Sequence, residues 1–227
     1  MTTWLTTMSD AVERYFVAAA DPERAEPMQS YMRDQFPFYG IGAKERRDIL
    51  KTVWSEIPLP ADEDAIAAVV RDWMARPQRE WHQSAVTALR RHGRILSAAS
   101  WPTVRHVATT HAWWDTIDEL AKNVAGRLVK NDPSQVAVMD EWVRSDDMWV
   151  ARVAILHQLG YKATTDVERL FDYCDLRADE TDFFYRKAIG WALRQYAYED
   201  PDAVAAYVES RRDRLSPLSI REATKNL

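Results

Sequence analysis

His111-Ala112-Trp113-Trp114-Asp115-Thr116-Ile117-Asp118 reads as the opening of a helix, and the way it opens recurs along the chain. At about 100° per residue, Trp113, Ile117, Leu120 and Val124 share one face as an apolar stripe. Trp114 and Asp118, four apart, stand one above the other on a different face, with Lys122 one turn further on. One tryptophan is thus assigned to the core, and its neighbour is displayed beside a carboxylate. A large aromatic surface next to an anion suits a flat or cationic ligand. On this octapeptide alone a second reading stays open, in which Trp114 packs on the next helix while Asp118 caps or pairs locally.

Aromatic residues open successive helices at Trp81, Trp114, Trp149 and Phe184, spaced 33, 35 and 35. Units of ~34–47 residues built from two or three helices stack into α-solenoids that expose a long concave surface. The full tetratricopeptide signature is absent, so a degenerate HEAT-like stack fits better. Three or four residues past the opening aromatics come Asp118, Arg152 and Lys187, all polar, which places one polar face per repeat along a common groove. Helix punctuation agrees. Asp132-Pro133, Asp200-Pro201 and Ser216-Pro217 each set a capping residue before a proline at the first helical position, and Thr165-x-x-Glu168 reads as a capping box. Helices are expected near 4–20, 24–36, 43–57, 62–76, 78–92, 100–111, 113–130, 133–145, 148–161, 165–176, 181–198, 201–213 and 217–226. No Pro/Ser/Gly linker divides them. The expectation is one all-α domain over 1–227, an α-solenoid of HEAT-like helical repeats with a concave groove.

Composition narrows the function. Six glycines, against about 16 at average usage, exclude a turn-rich all-β protein. Ten Trp and nine Tyr beside six Phe favour aromatics that carry a polar handle, as at surfaces half buried and half in contact with ligand. The single Cys174 leaves no disulfide framework or thiolate cluster, and the five histidines lack His-Glu-x-x-His spacing, so neither a metal nor a cofactor is expected. No stretch reaches ~18 apolar residues, and a soluble, cytoplasmic monomer is expected. The net charge of −5 argues against nucleic acid, yet bases gather at Lys44-Glu45-Arg46-Arg47 and at Arg211-Arg212-Asp213-Arg214, and a phosphate backbone responds to local charge.

Two downstream helices sharpen this. Arg152 is the one charge in Trp149-Val150-Ala151-Arg152-Val153-Ala154-Ile155-Leu156, and a guanidinium there requires a carboxylate or a phosphate. Lys187, Trp191, Arg194 and Tyr198 form a basic stripe interleaved with aromatics, the pattern of a surface that tracks a phosphate backbone. Gly190 inside that helix costs about 1 kcal/mol relative to alanine, so a close approach by a helix or ligand is expected there.

These residues resemble the AlkD-type DNA alkylation-repair glycosylases, HEAT-like repeat enzymes, over nearly the whole chain. The blocks that carry the resemblance are Glu23-Arg24-Ala25-Glu26-Pro27-Met28 through Tyr31-Met32, Gly40-Ile41 with Glu45-Arg46-Arg47, Trp113-Trp114-Asp115-Thr116-Ile117-Asp118, and Lys187-Ala188-Ile189-Gly190-Trp191. The resemblance implies a monofunctional glycosylase that hydrolyses the N-glycosidic bond of positively charged alkylpurines in duplex DNA without an enclosing base pocket. It implies that Trp114, Asp118 and Trp191 are catalytic, and that Arg152 and Tyr31 hold DNA. Lys187, Arg194, Lys44 and Arg47 complete the expected DNA-binding set on their charge. The alternative function is a HEAT-like scaffold that binds DNA or protein without catalysis.

Overall fold

The computed structural model describes residues 3–227, and every regular element among them is helical, as the all-α expectation requires. The chain falls into two compact units, one reaching to His111 and the other Ala112–Leu227.

The first unit contains α1 (Thr3–Ala18), α2 (Pro22–Tyr31), α3 (Ala43–Glu56), α4 (Glu63–Met74), α5 (Arg79–Arg91) and α6 (Trp101–Thr109). Its centre is a ring cluster in which Trp81 of α5 meets Phe16 at 5.1 Å and Trp73 at 5.6 Å. Trp73 keeps its indole N–H satisfied by donating to Ser9 Oγ at 3.0 Å, which lets so large a ring be wholly buried. Trp81, first of the repeat-opening aromatics, is therefore core. The connection into α3 is held by the buried Glu80 carboxylate, which accepts the backbone N–H groups of Tyr39, Gly40 and Ile41 at 3.1, 3.0 and 3.1 Å. Gly40 has φ +92°, and a Cβ there would stand 2.1 Å from the Asp21 carbonyl oxygen, so only glycine fits. The helix expected over 24–36 begins earlier, on the Asp21 cap, and stops at Tyr31. Arg33 and Asp34 both take φ 55°, the left-handed conformation that ends a helix.

The second unit contains α7 (Trp114–Leu120), α8 (Gly126–Asn131), α9 (Val136–Trp142), α10 (Met148–Leu156), α11 (Val167–Leu176), α12 (Phe183–Tyr196), α13 (Pro201–Ser210) and α14 (Pro217–Ala223). Aspartate caps start four of the eight, three of them with Asp147 accepting from Trp149 and Val150, Asp182 from Phe184, and Asp200 from Ala203. The capping box expected at Thr165 is displaced by one residue. Asp166 caps α11 by accepting from the Arg169 N–H, while the Thr165 hydroxyl turns back to the Lys162 carbonyl. In this unit α10 packs between α7 and α12, and α12 lies against α14, while α9, α11 and α13 pack on the row from behind.

The helix expected over 113–130 is interrupted. Residues Ala121–Ala125 form a single π-helical turn between α7 and α8. Gly126, just after it, has no room for a side chain, since a Cβ would lie 2.1 Å from the His157 carbonyl oxygen. The Tyr161 hydroxyl donates to the Gly126 carbonyl at 2.6 Å. His157 itself is buried, with Nδ1 2.6 Å from the Ala154 carbonyl, and burial lowers its pKa to about 4. A histidine held neutral in the folded state takes up its proton on unfolding, so its contribution is present above about pH 6.5 and is lost as pH falls towards 4. Between pH 7 and pH 5 this linkage removes about 2 kcal/mol of stability. Urea unfolding of His157→Gln at the two pH values is expected to show a difference smaller by that amount. An unchanged difference would place the acid sensitivity elsewhere.

Among the described residues no helix is long and apolar enough to cross a membrane.

Candidate active site

Trp113 precedes α7 as its N-cap, in extended conformation at φ −157°, so it does not continue the Ile117, Leu120 and Val124 stripe as a helical residue. Its ring instead packs on Trp149 at 5.6 Å and on Phe184 at 5.1 Å, and those two meet at 4.8 Å. The aromatics that open α10 and α12 thus converge on Trp113. Trp114 is the first residue of α7, one helical turn before Asp118, and its separation from Trp113 comes from the extended cap and not from the helical period.

Asp118 is half-buried, its side chain 17% exposed, and it receives both ends of a guanidinium. Arg152 Nε and Nη2 donate to its two carboxylate oxygens at 2.7 and 2.9 Å. The remaining Arg152 nitrogen, Nη1, donates to the Phe184 carbonyl at 2.5 Å. Arg152 is only 1% exposed, so the lone charge of α10 is satisfied inside the protein. Burial raises the pKa of Asp118 above the ordinary carboxylate value, and the guanidinium offsets part of that rise. A partly desolvated carboxylate held in one orientation by a bidentate partner is what electrostatic catalysis of a cationic transition state requires.

Behind Arg152 lies Trp191 of α12. The Arg152 guanidinium carbon stands 5.7 Å from the Trp191 ring, Lys187 Nζ 5.5 Å and the Arg194 guanidinium carbon 5.8 Å. Lys187 and Arg194 flank Trp191 one turn below and one turn above, as the i−4 and i+3 spacing dictates. Both reach Glu222 of α14, at 3.1 and 3.0 Å, and Lys225 reaches the same carboxylate at 2.8 Å. Lys225 and Lys187 hold the pKa of Glu222 down to about 2 although the residue is almost fully buried, which by itself would raise it. Gly190 makes this possible. A Cβ at 190 would fall 2.4 Å from Glu222 Cβ and 3.0 Å from the Ser219 carbonyl oxygen, so the close approach expected at this glycine is that of α14.

Five of the nine residues assigned from the sequence are therefore grouped in the second unit: Asp118 on Arg152, Arg152 beside Trp191, and Trp191 between Lys187 and Arg194. Trp114 sits one helical turn from Asp118 on the same helix. Tyr31, Lys44 and Arg47 belong to the first unit. Tyr31, at the end of α2, is 71% exposed, Arg47 is exposed, and Lys44 pairs with Asp48 at 2.6 Å. Tyr198 is likewise open to solvent. In the basic run at 211–214, Arg211 pairs with Asp175, Arg212 with Glu209 and Arg214 with Asp179.

Glu222 was not singled out by the sequence, although a signal existed. Asp118, Arg152, Lys187 and Glu222 are spaced 34, 35 and 35, so the polar positions of the repeat extend one unit further than the aromatic ones. Among the described residues no group of three or more His, Cys, Asp or Glu is placed to hold a metal ion.

Comparison with known proteins extends over nearly the full chain. A family model described as DNA alkylation repair enzyme matches residues 12–227. A solved structure described as a predicted DNA alkylation repair enzyme from Enterococcus faecalis superposes with a TM-score of 0.83 at 27% identity, covering 92% of this chain and 96% of that one. No curated protein matches the chain significantly. The chain, helical throughout and with its aromatic and charged residues gathered on α7, α10 and α12, belongs to the family of DNA alkylation repair enzymes.

Proposed function

We propose that this chain, acting as one domain over 1–227 and as a monomer, is a monofunctional DNA glycosylase that releases positively charged alkylpurines from duplex DNA. The observation that carries the reading is the Asp118 carboxylate, fixed by the bidentate Arg152 and one turn from Trp114. A purine alkylated at N7 or N3 carries a positive charge and departs as a neutral base. It needs no protonation, so the second carboxylate of ordinary glycoside hydrolysis has no task. Asp118 stabilises positive charge developing on the deoxyribose and orients the attacking water. Trp114 and Trp191 offer π-faces to the sugar and the cationic nucleotide, worth ~0.5–2 kcal/mol per contact.

Arg152 acts here as a positioning residue, because its nitrogens are committed to Asp118 and the Phe184 carbonyl. Phosphate holding falls to Lys187 and Arg194, with Tyr31, Lys44 and Arg47 contributing from the first unit. The reaction as written calls for no metal and no cofactor, and no lysine is assigned a Schiff base. One observation favours the scaffold reading instead: the Asp118–Arg152 pair is also what a purely structural ion pair looks like.

Single-turnover release of base from matched duplexes separates the two. The glycosylase is expected to free 7-methylguanine and to leave uracil and hypoxanthine in place, since a neutral base departs well only with a general acid or a closed pocket. Comparable rates for charged and neutral lesions overturn the charge logic, and release of none of them leaves the scaffold.

A further inference from the structure

Glu222 is not among the residues assigned to the reaction, yet it ties together two of the cations that are. Its carboxylate oxygens divide between them, Oε1 to Lys187 at 3.1 Å and Oε2 to Arg194 at 3.0 Å. Lys225 adds a third positive charge to Oε1 at 2.8 Å. The carboxylate is 3% exposed, whereas Lys187 and Arg194 remain partly open to solvent. Its place is fixed by backbone packing, since α14 is seated directly on the glycine at 190. Two oxygens of one anion bridging a lysine and an arginine reproduce the way a phosphate group is held. A DNA phosphate arriving at these two residues meets cations already occupied.

We propose, resting on the glycosylase reading above, that Glu222 is an internal competitor of the DNA backbone: it occupies Lys187 and Arg194, lowering affinity, and thereby fixes both cations about the Trp191 ring. The exchange favours the reaction over the hold on DNA. Free cations would swing towards phosphates and leave Trp191 without the two side chains that flank it at 5.5 and 5.8 Å. Tied to Glu222, they keep the ring placed and still offer their exposed sides to the backbone. The competition also gives a physical reason for a DNA enzyme to carry an anion among its cations.

The test uses the full-length protein with Glu222→Gln, which keeps shape and removes the charge. Two readouts are taken, binding to an undamaged duplex over a range of salt and single-turnover release of 7-methylguanine from a saturated complex. One further phosphate contact steepens the salt slope by about 0.9, which is roughly 8-fold tighter binding at 0.1 M salt. Release from the saturated variant is expected to be slower by about 10-fold, as for displacement of a group by a fraction of an ångström from productive geometry. Tighter binding with slower release supports the inference. Unchanged or weaker binding, or an unchanged release rate, overturns it and leaves Glu222 a packing residue. Should Glu222→Gln fail to fold, Glu222→Asp keeps the charge on a shorter arm and is expected to shift both readouts the same way by less. A wild-type protein that releases no base refutes the glycosylase reading, while the binding arm still decides whether Glu222 competes with phosphate.

Discussion

Asp118→Asn lowers release of 7-methylguanine by a factor on the order of 10²–10³, the usual cost of removing one preorganised electrostatic group. The amide has the carboxylate's shape and retains an oxygen for one Arg152 donor, so the α7 backbone has no steric reason to move. What disappears is the negative charge facing the deoxyribose. The variant also leaves the buried guanidinium of Arg152 with a neutral partner, and breaking a buried pair from one side costs about 3–5 kcal/mol. The rate must therefore be taken on protein whose helical circular dichroism and cooperative melting show it folded, and duplex binding measured beside it. Binding at or near the wild-type level with loss of release is the expected combination. A folded Asp118→Asn protein that excises at the wild-type rate removes Asp118 from the chemistry.

Arg152→Ala is expected to cost stability before it costs affinity. Its guanidinium is 1% exposed and makes three hydrogen bonds, two to Asp118 and one to the Phe184 carbonyl. Removing it strands the half-buried carboxylate and that carbonyl together, which puts the loss on the order of 3 kcal/mol or more. Release of the alkylated base falls with it, because nothing then orients Asp118. The salt slope of duplex binding is expected to stay at its wild-type value, since Arg152 is buried and each of its three nitrogens already donates within the protein. A slope reduced by about one contact, with stability intact, would instead put Arg152 on the DNA backbone. A double-mutant cycle with Asp118→Asn supplies the coupling directly, expected in the range of about 0.5–3 kcal/mol for groups in contact.

The parts of the fold legible in the sequence were those written in local chemistry. Asp200-Pro201 and Ser216-Pro217 announce helix starts because a cap oxygen and a proline act on the backbone within three residues, and α13 and α14 begin where they say. Asp132-Pro133 likewise opens a helical turn, although its first three residues are 3-10 and α9 follows directly. Arg152 was legible by half. A lone charge among apolar residues demands a counter-charge, but whether that is Asp118 or a phosphate depends on packing 34 residues away. Glu222 was legible only through the 35-residue spacing of the polar positions, because its helix is seven residues long and its apolar positions give too little period to fix a face. The π-helical turn had no signature at all. It is a change of hydrogen-bond register within Ala-Lys-Asn-Val-Ala, and ordinary helix formers occupy it.

That turn has a consequence for how the chain can vary. Adding one residue to an uninterrupted α-helix rotates everything beyond it by about 100°, enough to carry a core face into solvent. A π turn takes up the extra residue as local widening and hands the phase on unchanged. Here Ile117 and Leu120 lie before the widening and Leu128 after it, and all three are buried. The segment 121–125 is thus a slack link, at which a homologue one residue shorter can close to a plain helix without turning Asp118 away from Arg152. The His157 carbonyl and the Tyr161 hydroxyl, which close on Gly126 just past it, mark where that freedom ends.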